Sequence, residues 1–301
     1  MLRRQLSLLE VLFVVLLVLI VFALILPAFT TCCRSRGRAA LVKEGAQQRE
    51  IHRAMLVFAE DGNGHFPTPG RLNPQRDPGT GLQLPGIGPE NHRKNLTRHV
   101  YSAMIALEYF DTDIMISPAE ENPAIAEYVD YDYSEYAPLA DTYWDGDATD
   151  DDSEGARWGF DIAFGDNDRP CHASFPLQTI AGLRAEQEWR ASGNAAHTVI
   201  STRGPTDGAL HGAAYDNAYA LRMHGKQDAW LGAIVFSDNH IELRESFILN
   251  PANPGSAADN LFRAEDGPMG ADVWIGFTKR VRVGAGGLPE GAELWEEPLV
   301  E

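Results

Sequence analysis

From Val11 to Leu26 the chain reads VLFVVLLVLIVFALIL, a run without a charged or hydrogen-bonding side chain. Leu6, Leu8, Leu9, Ala28 and Phe29 extend its apolar character at both ends. An α-helix rises about 1.5 Å per residue and the hydrocarbon core of a bilayer is about 30 Å thick, so a stretch of this length predicts a membrane-spanning helix. Arg3 and Arg4 precede the run, and TTCCRSRGR follows it where a secretory signal would show a small-residue cleavage site. The segment therefore reads as an anchor. Its backbone must be helical, because in lipid a lone segment satisfies its N–H and C=O groups only as a helix.

One residue departs from a plain anchor. Glu10 stands near the start of the span, where a carboxylate is costly and commonly functional. The alternative is a side chain near enough to the headgroups to reach water.

Beyond the span the composition is that of a globular protein. Of 301 residues, 44% are hydrophobic and 23% charged. The 25 Lys and Arg face 43 Asp and Glu, a net charge of −18. Phosphate backbones are bound by cations that displace counterions, so this balance excludes nucleic acid as a partner. Three cysteines are too few for a disulfide scaffold. Cys32 and Cys33 follow the span, and Phe29 occupies the position where a lipid-attachment motif places Leu, which argues against lipidation. Cys171 reads as a buried thiol, either free or bridged to one of the other two.

Leu6-Ser7-Leu8-Leu9-Glu10, followed by apolar residues, resembles the N-terminus of type IV prepilins and type II secretion pseudopilins. That motif is Gly, then Phe-Thr-Leu-Ile-Glu, then a hydrophobic helix. Placing Glu10 on the motif's glutamate makes Leu6 the first mature residue, and the family's helix proline then falls on Pro27. Gln5 stands where the family has its Gly, a departure that bears on cleavage and N-methylation. Farther on, Ala39 to Glu60 is rich in helix formers, with Leu41, Ile51, Met55 and Phe58 able to share one face. Asp61-Gly62-Asn63-Gly64 stops this helix. His65-Phe66-Pro67 and Phe236 to Glu242 are similar to elements of large, planctomycete-type members of the G-like pseudopilin group.

The resemblance implies an outward-facing globular domain and assembly through Glu10, which pairs with a neighbour's N-terminal amine, with Pro27 as a kink. It also implies partners: other pilin or pseudopilin subunits, a prepilin peptidase, and an inner-membrane assembly platform. Charge alone leaves orientation open, since Arg34, Arg36, Arg38 and Lys43 follow the span while Arg3 and Arg4 precede it.

The rest of the chain reads as α+β. Residues 67–89, with six Pro and five Gly, predict a loop or insertion. His99 to Tyr109 predicts a helix, and Asp113 to Pro118 a short buried segment. Residues 141–154 hold seven acids in fourteen positions. They read as a solvated loop or, through Asp145, Asp147, Asp150, Asp151 and Asp152, as a weak Ca²⁺ site, although the spacing is not that of an EF-hand. G-type pseudopilins have a Ca²⁺-binding loop, which keeps the second reading open. Strands are predicted at Arg157 to Phe164, Thr198 to Thr202 and Asp272 to Thr278. Ala229 to Phe236 and Ile241 to Phe247 predict a hairpin around Ser237-Asp238-Asn239-His240.

Enzyme signatures such as GxSxG, HExxH, a P-loop or a strand-linked GxGxxG are missing from the sequence. Two clusters deserve inspection: Asp166, Asp168 and His172, and Asp238, His240 and Glu242. The second is not expected to converge, because Asp238 falls in the turn. His211 and His224 lie in Gly-rich stretches and are weaker candidates.

The expectation is thus an α+β, pilin-like fold with large insertions and a long N-terminal helix, half transmembrane, on an antiparallel sheet. Residues 1–5 are a short cytoplasmic leader-like segment, 6–29 the transmembrane half of the helix, 30–60 its exposed half, and 61–301 an extracytoplasmic globular domain. The expected role is a non-enzymatic, cofactor-free fibre subunit or assembly component. Its competitor is a single-pass anchored ectodomain that binds a ligand or Ca²⁺ without polymerising.

Overall fold

The computed structural model describes residues 8–140, 142–146, 159–163, 170–225, 229–249 and 258–298, with the side chains of 8–11, 23–36 and 225 left aside. Among the described residues five α-helices and nine strands order the chain: α1 (Leu8–Asp61), α2 (Pro69–Leu72), α3 (Thr97–Ala106), α4 (Gly182–Gln187) and α5 (Ala213–Asp216), with β1 (Leu177–Gln178), β2 (Thr198–Ser201), β3 (Gly232–Phe236), β4 (Ile241–Arg244), β5 (Ile248–Leu249), β6 (Asp259–Asn260), β7 (Ile275–Gly276), β8 (Thr278–Val283) and β9 (Pro289–Leu294). The class is α+β. Five strands form an antiparallel sheet in the order β4-β3-β2-β1-β7, and β5–β6 and β8–β9 are separate two-stranded ribbons.

The 54 residues of α1 make one helix about 80 Å long, running on through Pro27. Its two ends meet different surroundings. Leu41, Ile51, Met55 and Ala59 are buried against the sheet and α3, whereas the described apolar side chains from Leu12 to Phe22 are 42–66% exposed. Among the described residues no helix is long and apolar enough to cross a membrane. The described side chains of the apolar run cover only Leu12–Phe22, about 16 Å of helix.

Strand β3 explains how the sheet accepts the helix. All five of its residues are buried, which strict alternation with a wet face would not give. Ala233 and Val235 join the clusters beneath α1. Ile234 and Phe236 face the opposite cluster of Trp230, Phe247, Leu261 and Phe262. Away from the sheet, the turn at Met223–Gly225 also closes on the helix: a Cβ on Gly37 would lie 2.2 Å from the His224 carbonyl oxygen.

The helix stop falls where Asn63 (φ 53°) and Gly64 (φ 79°) turn left-handed and Gly64 N–H donates to Ala59 O at 2.9 Å. The hairpin prediction holds, with β3 and β4 paired and Asn239 at φ 67° in the turn. Two strand predictions need correction. Gly159–Ala163, the described part of the Arg157–Phe164 segment, forms no strand. Its backbone donors go to side chains instead: Asp161 N–H to His172 Nδ1 at 2.9 Å and Ile162 N–H to Asp161 Oδ1 at 2.7 Å. The Asp272–Thr278 segment splits, because Thr278 N–H donates to Thr97 Oγ1 at 2.8 Å and leads β8 away from the sheet. The predicted helix at His99–Tyr109 starts two residues earlier and ends at Ala106, with Glu108 left-handed at φ 59°.

Candidate functional site

The buried face of α1 is not purely apolar. Glu44, Gln48 and His52 are each fully buried, at the four-residue spacing that puts them on one stripe. Such groups are tolerated only when hydrogen-bonded. Glu44 accepts from the Ser117 and Thr202 hydroxyls and from Gln48 Nε2 at 3.2 Å, with His224 Nε2 at 3.3 Å. Thr202 Oγ1 in turn accepts from Ala233 N–H at 2.9 Å. His52 Nδ1 meets Asn239 Oδ1 at 3.0 Å, and its ring packs edge-on against Phe66. Burial lowers the pKa of His52 against the opposing pull of Asn239 and Asp238. The stripe joins α1 to β2, to the β3–β4 turn and to the turn at Thr112–Met115, where Gln47 Nε2 donates to Ile116 O at 3.1 Å.

A serine, a glutamate and a histidine meet here, but not in a form suited to acyl transfer. The carboxylate lies between hydroxyl and imidazole, so no imidazole is placed to take the Ser117 proton. The Glu44 and His224 side chains are 0% exposed, which closes the group to substrate.

A second buried group centres on Arg203. Its guanidinium meets Glu120 Oε1 at 3.0 Å and Glu297 Oε1 at 3.0 Å. Ser174 Oγ donates to Glu120 at 2.7 Å and Asn122 Nδ2 to Glu297 at 2.8 Å. Burial favours a neutral Glu120, but the Arg203 charge and these hydrogen bonds outweigh it and hold its carboxyl low. Glu297 is raised, since for it burial prevails over the attraction of Arg203. This cluster borders a cleft of about 590 Å³ that Phe262, Trp274, Phe277 and Trp295 line with Asp207 and Lys279.

The residues singled out by sequence divide into those described and those outside. Gln5, Leu6, Asp147, Asp150, Asp151, Asp152, Asp166 and Asp168 lie outside the described residues, as do the side chains of Glu10, Pro27, Cys32 and Cys33. Asp145 is 1% exposed and accepts from Tyr128 OH at 3.0 Å and Asp132 N–H at 3.3 Å, so its carboxylate serves as a buried tie. Cys171 is a free, buried thiol whose pKa is pushed up by burial. His172 packs between Tyr128 and Phe160, and burial holds it down to about 4.

The expectation that Asp238, His240 and Glu242 stay apart is corrected. His240 Nδ1 meets Asp238, and Nε2 lies 3.9 Å from Glu242, because the ring stacks flat on Phe236 between them. All three side chains are about one-third exposed, as a surface hydrogen-bonding group would be.

Sequence reasoning missed Asp259, Glu265 and Asp272, whose carboxylate oxygens lie within 4.8 Å of one another. Burial and the other two charges push Asp259 up to about 7. The three come from β6 and from two separate stretches after it, and carry no motif, so only the fold reveals them. No family model, no curated protein and no solved structure matches this chain.

Proposed function

We propose that the protein is a pseudopilin-like structural subunit, or an assembly component, of a type II secretion or type IV pilus-like fibre. In this reading the apolar half of α1 is stored in the membrane as a transmembrane segment, with the globular part outside the cytoplasm. The helices are later extracted and packed side by side in a fibre core. The observation that carries the reading is the contrast along α1: one face of its second half is buried on the sheet, while the described side chains from Leu12 to Phe22 are 42–66% exposed among the described residues. Each Val, Leu, Ile or Phe gains about 1.5–3 kcal/mol from full burial. Lipid supplies that first and neighbouring helices afterwards.

Glu10 is the assembly residue in this proposal. Near the end of the span it reaches the headgroups, so insertion costs a few kcal/mol at most. Among packed helices it needs a counter-charge. Cleavage after Gln5 would supply one as the α-amine of Leu6 on a neighbour, a group that titrates near pH 8. The test is Glu10→Leu, with membrane fractionation and shearing of surface fibres assayed together. The expected result is unchanged insertion with lost incorporation into fibres. Unchanged incorporation would overturn the reading and leave a single-pass anchored ectodomain, for which the cleft beside Trp274 and Trp295 is the place to seek a ligand.

A further inference from the structure

The negative charge of this chain is concentrated. Residues 99–156 hold no Lys or Arg and sixteen of the 43 acids, which leaves 27 acids against 25 bases for the rest. Within this stretch the surface is acidic and also sticky. Glu121, Glu127 and Asp130 are exposed, and beside them stand Val129 at 75%, Tyr133 and Tyr136 at 45%, and Leu139 at 92% exposure. Exposed Tyr with aliphatic neighbours is interface composition rather than ordinary surface.

The segment is also held in shape. Tyr128 and Tyr131 point inward, with Tyr131 OH donating to Ser102 O at 2.5 Å. Asp132 accepts from Ser134 N–H at 2.9 Å, capping the short turn at Tyr133–Glu135. The outward side chains are thus presented by a preorganised backbone, which lowers the entropy lost on binding.

The opposite surface exists on the same chain. A cleft of about 1210 Å³ lies between the turn at His92–Lys94, the start of α3 and the β8–β9 hairpin. Arg93, Arg98, Lys279, Arg280 and Arg282 line it with one acid, Glu290; just outside the lining, Asp161 pairs with Arg98 at 3.3 Å and Glu293 with Arg282 at 3.4 Å, which leaves the cations in excess. Lys279 sits 4.3 Å over the Trp295 ring, so an aromatic floor accompanies the cations. Thr278 N–H to Thr97 Oγ1 ties this cleft to the first residue of α3. The acidic stretch rises to the surface beyond the other end of that helix, at Glu108. The ten residues of α3 put about 15 Å between the two starting points.

We propose that segment 126–140 of one copy docks into the basic cleft at the β8–β9 hairpin of a second copy. Carboxylates meet arginines, for which the planar guanidinium suits bidentate pairing. Val129, Leu139 and the tyrosines meet Trp295 and the alkyl stems of the basic side chains. A phosphate polymer would satisfy the cations but leave those apolar groups bare, and the remaining charge of the protein would repel it. Two different surfaces joined in this way make a head-to-tail contact, which closes into a ring or propagates as an open filament according to its rotation, unlike an isologous pair. The inference does not depend on the fibre reading, since anchored domains that never form fibres could associate by the same contact.

The test uses the full chain in non-ionic detergent, as an equal mixture of ¹⁴N- and ¹⁵N-labelled copies. A carbodiimide joins carboxylates to amines in contact, and mass spectrometry maps the products. Mixed-isotope links from Lys279 to Glu127 or Asp130 are expected. They should fall at least about tenfold between 10 mM and 1 M salt, as the screening length drops from about 30 Å to about 3 Å. Arg280→Glu with Arg282→Glu should abolish them, and so should Glu127→Lys with Asp130→Lys. Mixing these two variants should restore linkage, now between positions 280 or 282 of one and 127 or 130 of the other. All four positions are exposed, and matching thermal melts confirm that both variants fold. Links confined to a single isotope, or mixed links that survive both salt and charge reversal, would overturn the proposal. Unchanged fibre incorporation in Glu10→Leu with these links intact would instead count against the fibre reading alone.

Discussion

Replacing Asp259 by Asn should make the protein more stable at pH 8 and leave it unchanged at pH 4. Asp259 lies on β6 with its Oδ1 buried and without a hydrogen-bond partner, and the carboxylates of Glu265 and Asp272 converge on it. Burial first, then those two charges, move its titration up to about 7 from the ordinary 3.8. In the unfolded chain the group titrates near 3.9. The native state therefore holds a proton that the unfolded state releases between about pH 4 and pH 7, and stability falls as pH rises through that window. At about 1.4 kcal/mol per pH unit the penalty above pH 7 has a ceiling of about 4 kcal/mol. Asp259 is only partly buried, and the three carboxylates share one titration, so screening reduces this to about 1–2 kcal/mol. Asn keeps the shape and removes the charge. Thermal melts at pH 4 and pH 8, in EDTA so that no divalent cation neutralises the cluster, should show a gain of about 3–6 °C at pH 8 alone. An equal gain at both pH values, or none at pH 8, would refute the electrostatic account.

Glu44→Ala should cost about 3–5 kcal/mol in denaturant unfolding, because it strands Gln48, Thr202, Ser117 and His224 without a common acceptor, while Glu44→Gln should cost distinctly less. Arg203→Met should destabilise by a similar amount by leaving Glu120 and Glu297 buried without their cation; adding Glu120→Gln and Glu297→Gln should recover much of the loss. The peptide carrying Cys171 should resist thiol reagents under native conditions and react at the rate of unfolding, since the thiol is fully buried and its pKa raised.

What the sequence revealed depended on the range of the interaction behind each element. The helix stop at Asn63-Gly64 and the hairpin at Asp238-Asn239 are local events, decided by residues that accept positive φ. Both were legible. The Gly159–Ala163 segment carries strand-forming residues, yet its donors are captured by Asp161 and by His172 from eleven positions away, which no pattern in the segment announces. The helix face was half legible: Ile51 and Met55 mark the core side, but Glu44, Gln48 and His52 on the same side look solvent-facing until Thr202, Ser117 and Asn239 come to meet them. Asp259, Glu265 and Asp272 were invisible for the same reason, as was the pairing of Arg203 with Glu120 and Glu297 across 83 and 94 positions. The apolar run, by contrast, needs no partner to be recognised.

The buried polar stripe bears on how force passes through a subunit of the proposed kind. A helix drawn out of lipid by its apolar half must take its globular domain with it. An apolar seam resists separation, but it opposes sliding weakly, because hydrophobic contact is non-directional. Hydrogen bonds fix register. Those from Glu44, Gln47 and His52 span about two turns of α1 and end on three different parts of the domain: Thr202 after β2, Ile116 and Ser117 after the Thr112–Met115 turn, and Asn239 in the hairpin turn. A slip of one helical turn, about 5.4 Å, would break all of them together and leave the Glu44 carboxylate buried without donors. Gly37 adds a steric lock, since a side chain brought to its place by such a slip would strike the His224 carbonyl. The joint between α1 and the sheet is therefore stiff along the helix axis, and a pull on the exposed apolar half is delivered to the sheet instead of being lost in slippage.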